Sequence, residues 1–275
     1  MEIINQAFAS KPISCPIIDA HTHIGAYQHH GWHQKYDRTD TPSILAYGER
    51  LGIDCIVTTP HMIIQGLMEE TNLISVKAIE DFPKKVYAYI AVIPTCGMDA
   101  VKSELKKYAR AEGFVGLKFL PGFYHGELTD PAYQYALDFA DEMSCPVLCH
   151  MWGDGPKHTD VEKVLEKHHK LKFICAHQGG GSVPFTDMTI PTIRNHENAY
   201  LELCGSMDNR YGIEDLVELC GEDKIIFGTD AINLDPKYEI GKVAFAPLSD
   251  DIKKKIFAEN FLEILKTSEM GKIVL

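Results

Sequence analysis

The sequence lacks a long hydrophobic segment. Its longest apolar run, residues 86–93, is far shorter than the ~18 residues that a membrane-spanning helix needs. The first five residues also lack the basic start and the apolar run of a signal peptide. These two absences predict a cytoplasmic protein that does not act at a membrane.

Positive charge is scarce as well. The chain has 27 basic and 39 acidic residues, a net charge of −12, and its basic residues form no stripe. Nucleic acid is therefore not an expected partner, because a nucleic-acid-binding face needs clustered lysine and arginine. The surplus acidic residues are typical of solvated helix surfaces.

Disulfide signals are absent although there are eight cysteines. The chain contains no Cys-x-x-Cys pair and no spacing typical of a disulfide framework. Most of the cysteines lie in or beside apolar runs, where a free thiol behaves as a small buried apolar group. We therefore expect reduced cysteines, as in cytosolic proteins.

Short apolar segments recur along the chain, and a helix-like stretch follows each of them. The eight predicted strands are 15–20, 55–59, 86–93, 114–119, 146–149, 172–176, 200–204 and 224–228. The clearest of the helix-like stretches are 41–50, 69–81, 99–111, 131–142, 160–169, 213–219 and 250–258. The strands start about 25 to 40 residues apart, which suits one strand, one helix and two loops.

This rhythm predicts an α/β fold, a closed parallel (β/α)8 barrel. The alternative, an open Rossmann-like sheet, is disfavoured because no G-x-G-x-x-G follows the first strand. We expect one domain over residues 1–275, in which residues 1–14 are a lead-in segment.

The first predicted strand carries a pair of histidines. His21 and His23 are two residues apart, so in a strand they leave the backbone on the same face, and Asp19 shares that face. Imidazole nitrogens at this spacing suit a zinc ion. The alternative is two buried histidines that bond to carbonyl groups.

Polar residues also stand at the ends of other predicted strands: Lys118 in the fourth, His150 after the fifth, His177 after the sixth and Asp230 after the eighth. The carboxyl ends of all strands of a barrel meet at one mouth. Several imidazoles and one carboxylate gathered there would form a metal site with room for water. Burying them without a metal would leave costly unpaired groups.

Five short motifs of the sequence resemble those of a known enzyme superfamily. They are Ile-Asp-Ala-His-Thr-His at 18–23, Gly-Leu-Lys at 116–118, Pro-Val-Leu-Cys-His at 146–150, Cys-Ala-His-Gln-Gly-Gly at 175–180 and Ile-Ile-Phe-Gly-Thr-Asp at 225–230. Together they resemble the amidohydrolase superfamily of TIM-barrel enzymes. The branch that they resemble most is the amidohydrolase-related one, which includes the aminocarboxymuconate-semialdehyde decarboxylase-like enzymes.

The resemblance implies a ligand set for one Zn²⁺ ion per chain: His21, His23, His150 and Asp230. It implies that His177 lies beside the metal-bound water and that Asp230 exchanges a proton with it. Lys118 is expected near the metal as an uncarboxylated cation; the alternative is an electrostatic tie to Asp19 or Glu202 inside the barrel. In binuclear relatives the equivalent lysine is carboxylated and bridges two metals, so a binuclear site or another divalent metal stays open.

We predict that the protein is a metal-dependent hydrolase, in which a zinc-activated water attacks an amide, a lactone or a related carbonyl compound. The alternative is a zinc-dependent nonoxidative decarboxylase of an unsaturated or aromatic acid. A decarboxylase is expected to hold carboxylates with arginines, and the chain has few near the mouth, which favours hydrolysis. A metal-binding protein without catalysis is disfavoured, because a structural site needs no spare histidine.

Four further residues are predicted to line the substrate site or to support it. Trp32, His125 and Trp152 fall in segments that follow strands and are candidates for the pocket wall. Glu202 is expected to point into the barrel as an internal hydrogen-bond partner. The expected partner is a small-molecule substrate, and the sequence also allows a homodimer.

Overall fold

The structure is a computed structural model that describes residues 2–25, 39–124, 127–153, 155–180, 183–205 and 212–275. Eight parallel strands form one sheet in the described part, in the order of the chain. They are β1 (Ile18–Thr22), β2 (Cys55–Thr58), β3 (Val86–Val92), β4 (Phe114–Phe119), β5 (Pro146–Cys149), β6 (Lys172–Cys175), β7 (Ala199–Glu202) and β8 (Ile225–Ile226).

The sheet nearly closes on itself. The segment that follows β8 runs beside β1, where Ala20 N donates to Phe227 O at 3.2 Å and Asp230 N donates to His21 O at 2.7 Å. Thr22 and Ala231 form a further parallel bridge. The predicted (β/α)8 barrel is therefore confirmed.

Helices alternate with the strands. They are α1 (Glu2–Phe8), α2 (Thr41–Arg50), α3 (Met68–Asp81), α4 (Met98–Tyr108), α5 (Pro131–Glu142), α6 (His158–Lys167), α7 (Val183–Asn195), α8 (Ile213–Cys220), α9 (Pro236–Phe245), α10 (Asp250–Lys254) and α11 (Asn260–Thr267). A π-helical turn, Lys255–Glu259, joins the last two. Within the described residues, no helix is both long enough and apolar enough to span a bilayer.

Several helices begin at a capping aspartate followed by proline near the first position. Asp130 accepts a hydrogen bond from Ala132 N at 2.8 Å before Pro131. Asp235 caps Lys237 N at 3.1 Å in the same way. The aspartate satisfies a free N–H of the first turn, and proline fits there because its missing N–H would have no partner.

Four helices were not predicted from the sequence. The first, α1, lies inside the predicted lead-in segment, α7 and α9 lie in stretches without a clear helical pattern, and α11 lies beyond the last predicted helix, 250–258. An internal proline, Pro191, and several β-branched residues weaken the signal of α7. Gly241 has the same effect in α9. Burial against the barrel outweighs these local preferences.

The strands are buried on both faces, and all seven residues of β3 are buried. All eight cysteines are free, and all but Cys96 are buried, as expected. The barrel interior also contains charged residues: Asp19, Lys118 and Glu202 are at most 1% exposed. These groups need partners inside the barrel, because a buried charge is costly unless it is paired.

One glycine shows how tightly the strands pack. A Cβ at Gly116 in β4 would lie 2.4 Å from Pro146 O in β5. We expect Gly116→Ala to lower the free energy of unfolding by about 1–3 kcal/mol, the usual cost of overpacking. The control Gly241→Ala lies in α9, where an added Cβ would only be in ordinary contact with the Phe245 ring at 3.9 Å, and is expected to raise the free energy of unfolding by about 0.5–1 kcal/mol. Urea unfolding curves would measure both, and equal midpoints would contradict the prediction.

Candidate metal centre

Three predicted ligands meet where β1 approaches the end of β8. His21, His23 and Asp230 are buried, and their ligand atoms all lie within 4.8 Å of one another. His23 Nε2 is 3.2 Å from Asp230 Oδ1, and His21 Nε2 is 3.8 Å from the same oxygen. Both imidazoles therefore face one carboxylate oxygen, as the period of two along β1 predicts.

The backbone around this group is held in unusual conformations. Asp230 has φ 53° and His177 has φ 57°, in the left-handed region that residues other than glycine seldom adopt. The bond from Asp230 N to His21 O helps to hold the first of them. Such conformations cost about 1–3 kcal/mol each and cluster at functional sites.

Asp19 ties the ligand-bearing segments together beneath the histidines. Its Oδ1 accepts from Thr229 N at 2.9 Å and from His21 N at 3.3 Å, and its Oδ2 accepts from Thr229 Oγ1 at 2.5 Å. One buried carboxylate thus joins β1 to the residue that precedes Asp230.

We expect Asp19→Ala to lower the free energy of unfolding by about 2–4 kcal/mol, because it leaves two buried N–H groups and one hydroxyl without their acceptor. Asp19→Asn keeps an acceptor oxygen for the two N–H groups and should cost less than half as much. Thermal and urea unfolding of both variants would check this. Equal losses in the two variants would contradict the role of the acceptor.

The arrangement of hydrogens at His23 indicates why a cation fits here. His23 Nδ1 lies 2.7 Å from Thr59 O, which only accepts, so Nδ1 carries the proton of the neutral ring. His23 Nε2 then presents a lone pair to the carboxylate oxygen of Asp230. Two acceptors that face each other at 3.2 Å need a positive charge between them, and imidazole nitrogens with a carboxylate oxygen suit a divalent metal.

The charges of the group also agree with metal binding. Burial opposes ionisation of Asp230, but the nearby imidazoles, first that of His23 and then those of His21 and His177, outweigh it, so its pKa lies well below the usual value. Burial, reinforced by the charge of Lys118, holds the pKa of His21 well below its ordinary value. Neutral imidazoles and an ionised carboxylate are the forms that bind metals.

His150 and His177 form a second contact at the ends of β5 and β6. His150 Nδ1 and His177 Nε2 are 2.9 Å apart. Burial lowers the pKa of His177 to about 3, and burial together with His177 lowers that of His150 well below the ordinary value, so both rings are neutral. His150 lies outside the group formed by His21, His23 and Asp230 among the residues that the structure describes.

Lys118 lies between these groups and is fully buried. The alternative that the sequence left open was an electrostatic tie of Lys118 to Asp19 or Glu202. Its Nζ instead forms a hydrogen bond with His21 Nε2, at 2.7 Å. Burial lowers the pKa of the ammonium group, and Asp230 opposes that shift. Lys118 donates to the lone pair that a metal would take, so metal binding by His21 requires this contact to be released.

Aromatic rings stand over the second pair of histidines. Trp152, a predicted wall residue, has its ring 5.8 Å from that of His177 at an interplanar angle of 87°. Phe123, which the sequence analysis missed, lies 5.3 Å from His150 and is 45% exposed. Its position just after β4, at the end of a strand, was the feature of the sequence that could have identified it.

Other predictions have different outcomes. Trp32 and His125 lie outside the described residues. Glu202 is buried inside the barrel and accepts from His21 Nδ1 at 3.1 Å, the kind of internal bond that was predicted.

Two further residues near the histidines were not predicted as part of the site. The sulfur of Cys204, interpreted from the sequence only as an apolar residue, lies 3.0 Å from His177 Nδ1. His61, which follows β2, is also buried, with its ring 4.6 Å from that of His23.

Several solved structures have similar folds. The 2,6-dihydroxybenzoate decarboxylase from Rhizobium is 14% identical (TM-score 0.70; 92% of this chain and 98% of that one). The 5-carboxyvanillate decarboxylase from Novosphingobium aromaticivorans DSM 12444, complexed with manganese, is 13% identical (0.74; 92% and 96%). The dihydroxybenzoic acid decarboxylase from Polaromonas sp. JS666, with bound manganese and 2-nitroresorcinol, is 14% identical (0.70; 92% and 97%).

At these identities the likeness shows the fold alone. A family model gives the stronger finding: the model described as Amidohydrolase matches residues 18–266, nearly the whole barrel. The match spans β1 to α11 and every predicted ligand. The chain therefore belongs to the amidohydrolase family and is an enzyme of that superfamily.

Proposed function

We propose that the protein is a metal-dependent nonoxidative decarboxylase of an aromatic or unsaturated carboxylic acid. The three similar structures named above are decarboxylases of aromatic acids, which supports this reaction over the hydrolysis favoured from the sequence. The observation that carries the proposal is the juxtaposition of two aromatic rings, Phe123 and Trp152, with a buried group of metal-binding residues.

The two rings suit a planar substrate. Phe123 stands at 73° to His150 and Trp152 at 87° to His177, so both rings lie edge-to-face over the imidazoles. Phe123 is exposed enough to offer a face to a ligand. Aromatic rings bind other rings in offset or edge-on arrangements that add about 0.5–1.5 kcal/mol beyond the area they bury.

Lys118 offers a positive charge inside the barrel. The sequence offers few arginines near the mouth that could hold a substrate carboxylate, and hydrolysis was favoured for that reason. The buried ammonium group of Lys118, close to Asp230 and His21, can balance the charge of a substrate carboxylate in place of an arginine.

His21, His23, His150 and Asp230 would hold one divalent metal, Zn²⁺ or Mn²⁺. When bound, the metal supplies a Lewis acid that binds substrate oxygens and draws electron density from the substrate. Three imidazoles and one carboxylate suit both ions. The manganese in two of the similar structures supports Mn²⁺ as the alternative to Zn²⁺.

In the reaction the bond between the substrate carbon and its carboxylate breaks, and CO₂ leaves. The electron pair stays on that carbon, which then takes up a proton. Asp230 takes a proton from a substrate hydroxyl or from water and returns it to the carbon. His177 orients the reacting group. The burial of both residues excludes bulk water from the step.

The test uses purified protein loaded with Zn²⁺ or Mn²⁺ and incubated in D₂O with a panel of hydroxybenzoates and unsaturated diacids. We expect CO₂ release and one deuterium at the carbon that lost its carboxylate. A parallel panel of amides and lactones is the comparison. Turnover of amides or lactones without any CO₂ release would overturn the proposal.

Hydrolysis of an amide or lactone is the second candidate. It needs the same ligands, and the family match supports it equally. The specific observation in its favour is the buried, neutral imidazole of His177 beside His150, which can orient an attacking water by a hydrogen bond. The same two panels distinguish hydrolysis from decarboxylation.

A further inference from the structure

Glu202 and Cys204 form a buried cluster behind the histidines. Together with His21 and His177 they make a group whose polar atoms all lie within 4.8 Å of one another. Glu202 Oε2 accepts from His177 N at 3.1 Å, and Oε1 accepts from Cys204 N at 2.6 Å. Both oxygens of this carboxylate therefore already bind backbone N–H groups, which can only donate.

The position of the thiol proton follows from these contacts. Cys204 Sγ lies 3.0 Å from Glu202 Oε2, a distance at which sulfur and an acceptor oxygen would repel without a proton between them. The carboxylate has no proton to give, so the thiol donates to Glu202. The sulfur then has only lone pairs left for other partners.

This assignment fixes the proton of the neighbouring histidine. His177 Nδ1 lies 3.0 Å from the sulfur of Cys204. Because the sulfur offers only lone pairs, Nδ1 must carry the proton of the neutral ring, and Nε2 must carry the lone pair. His177 Nε2 faces His150, on the side of the proposed substrate site.

We infer that Cys204 is a positioning residue. Its thiol donates to Glu202 and accepts from His177 Nδ1, and it thereby holds the His177 ring with the Nε2 lone pair towards the metal centre. Glu202 does the same directly for His21, whose Nδ1 lies 3.1 Å from Oε2. Partners of this kind fix the tautomer and ring orientation of histidines at metal sites. As far as it concerns catalysis, the inference rests on the proposed function, in which His177 orients the reacting group.

The test reads the tautomer of His177 directly. Protein labelled with ¹⁵N-histidine would be studied by long-range ¹H–¹⁵N correlation spectra, without metal and with diamagnetic Zn²⁺, and His177→Asn would assign the signals. We expect Nδ1 of His177 to carry the proton in the wild type and in Cys204→Ser, which keeps a donor and an acceptor. In Cys204→Val the proton is expected to move to Nε2 or to divide between the two nitrogens.

Activity gives the second readout. Cys204→Val is expected to lower kcat about 10- to 100-fold with KM within about twofold, and Cys204→Ser to recover most of the loss. The control Cys175→Val changes another buried cysteine, in the apolar core, and should leave both the spectrum and kcat unchanged.

The spectra separate this inference from the proposed function. A wild-type His177 protonated at Nε2, or a tautomer that Cys204→Val leaves unchanged, would overturn the inference whatever the substrate proves to be. If Cys204→Val does not fold, the spectra of the wild type and of Cys204→Ser still decide. A correct tautomer in an enzyme that releases no CO₂ from any acid would sustain the inference and overturn the decarboxylase.

Discussion

Asp230→Asn is expected to lower kcat about a thousandfold and to reduce the bound metal to a small fraction of the wild-type content. Asp230 is the carboxylate that faces both His21 and His23, and its oxygen supplies the negative charge of that group. An amide keeps the shape but loses this charge. It also cannot exchange the proton that the reaction needs, a role worth about 10²–10⁴ in rate. Steady-state kinetics and elemental analysis of the same preparation would measure both effects.

The matched control is Asp138→Asn, which neutralises an exposed carboxylate beside Lys167 on the outside of the barrel. It should leave metal content and kcat within about twofold, because an exposed ion pair contributes only about 0–1 kcal/mol. If Asp230→Asn kept the wild-type metal content and turnover, neither the ligand role nor the proton role of Asp230 would survive. Loss of activity with full metal content would leave the proton role alone.

The parts of the site that follow from strand periodicity were predictable from the sequence. His21 and His23 share a face because side chains alternate along β1, and both meet Asp230 because the ends of the strands converge in a barrel. The strands themselves were recognisable as short apolar runs, since strands buried on both faces carry apolar residues almost throughout.

Contacts that depend on side-chain packing between strands were not predictable. Lys118 was expected near the metal, with a tie to Asp19 or Glu202 as the alternative, but its hydrogen bond with His21 depends on how β4 stands against β1 across the barrel. Cys204 looked like a small apolar residue because a thiol has the same local signature in a core and beside a histidine. No local pattern of residue types indicates the left-handed backbone of His177, because surrounding contacts impose it.

Removal of the metal is expected to abolish turnover and to lower the thermal unfolding midpoint by about 8–16 °C. A ligand that binds only the folded state, at a free concentration of about a thousand times its Kd, raises the free energy of unfolding by about 4 kcal/mol. The unfolding midpoint of a chain of this size shifts by about 2–4 °C per kcal/mol. Without the cation, the lone pair of His23 Nε2 faces the carboxylate of Asp230 at 3.2 Å, which is the source of the lost stability. Calorimetry before and after chelation, and after addition of Zn²⁺ or Mn²⁺, would measure the shift.

Asp230→Ala provides the control, because it removes the carboxylate that makes the metal necessary. In this variant the repulsion with His23 is absent, so the metal-free protein should unfold no lower than the metal-free wild type, and added Zn²⁺ should raise its midpoint little. The wild type and the variant would then differ in their response to metal rather than in their intrinsic stability. A wild-type protein that unfolds at the same temperature with and without metal, and turns over equally well, would show that the buried imidazoles and carboxylate hold one another without a cation.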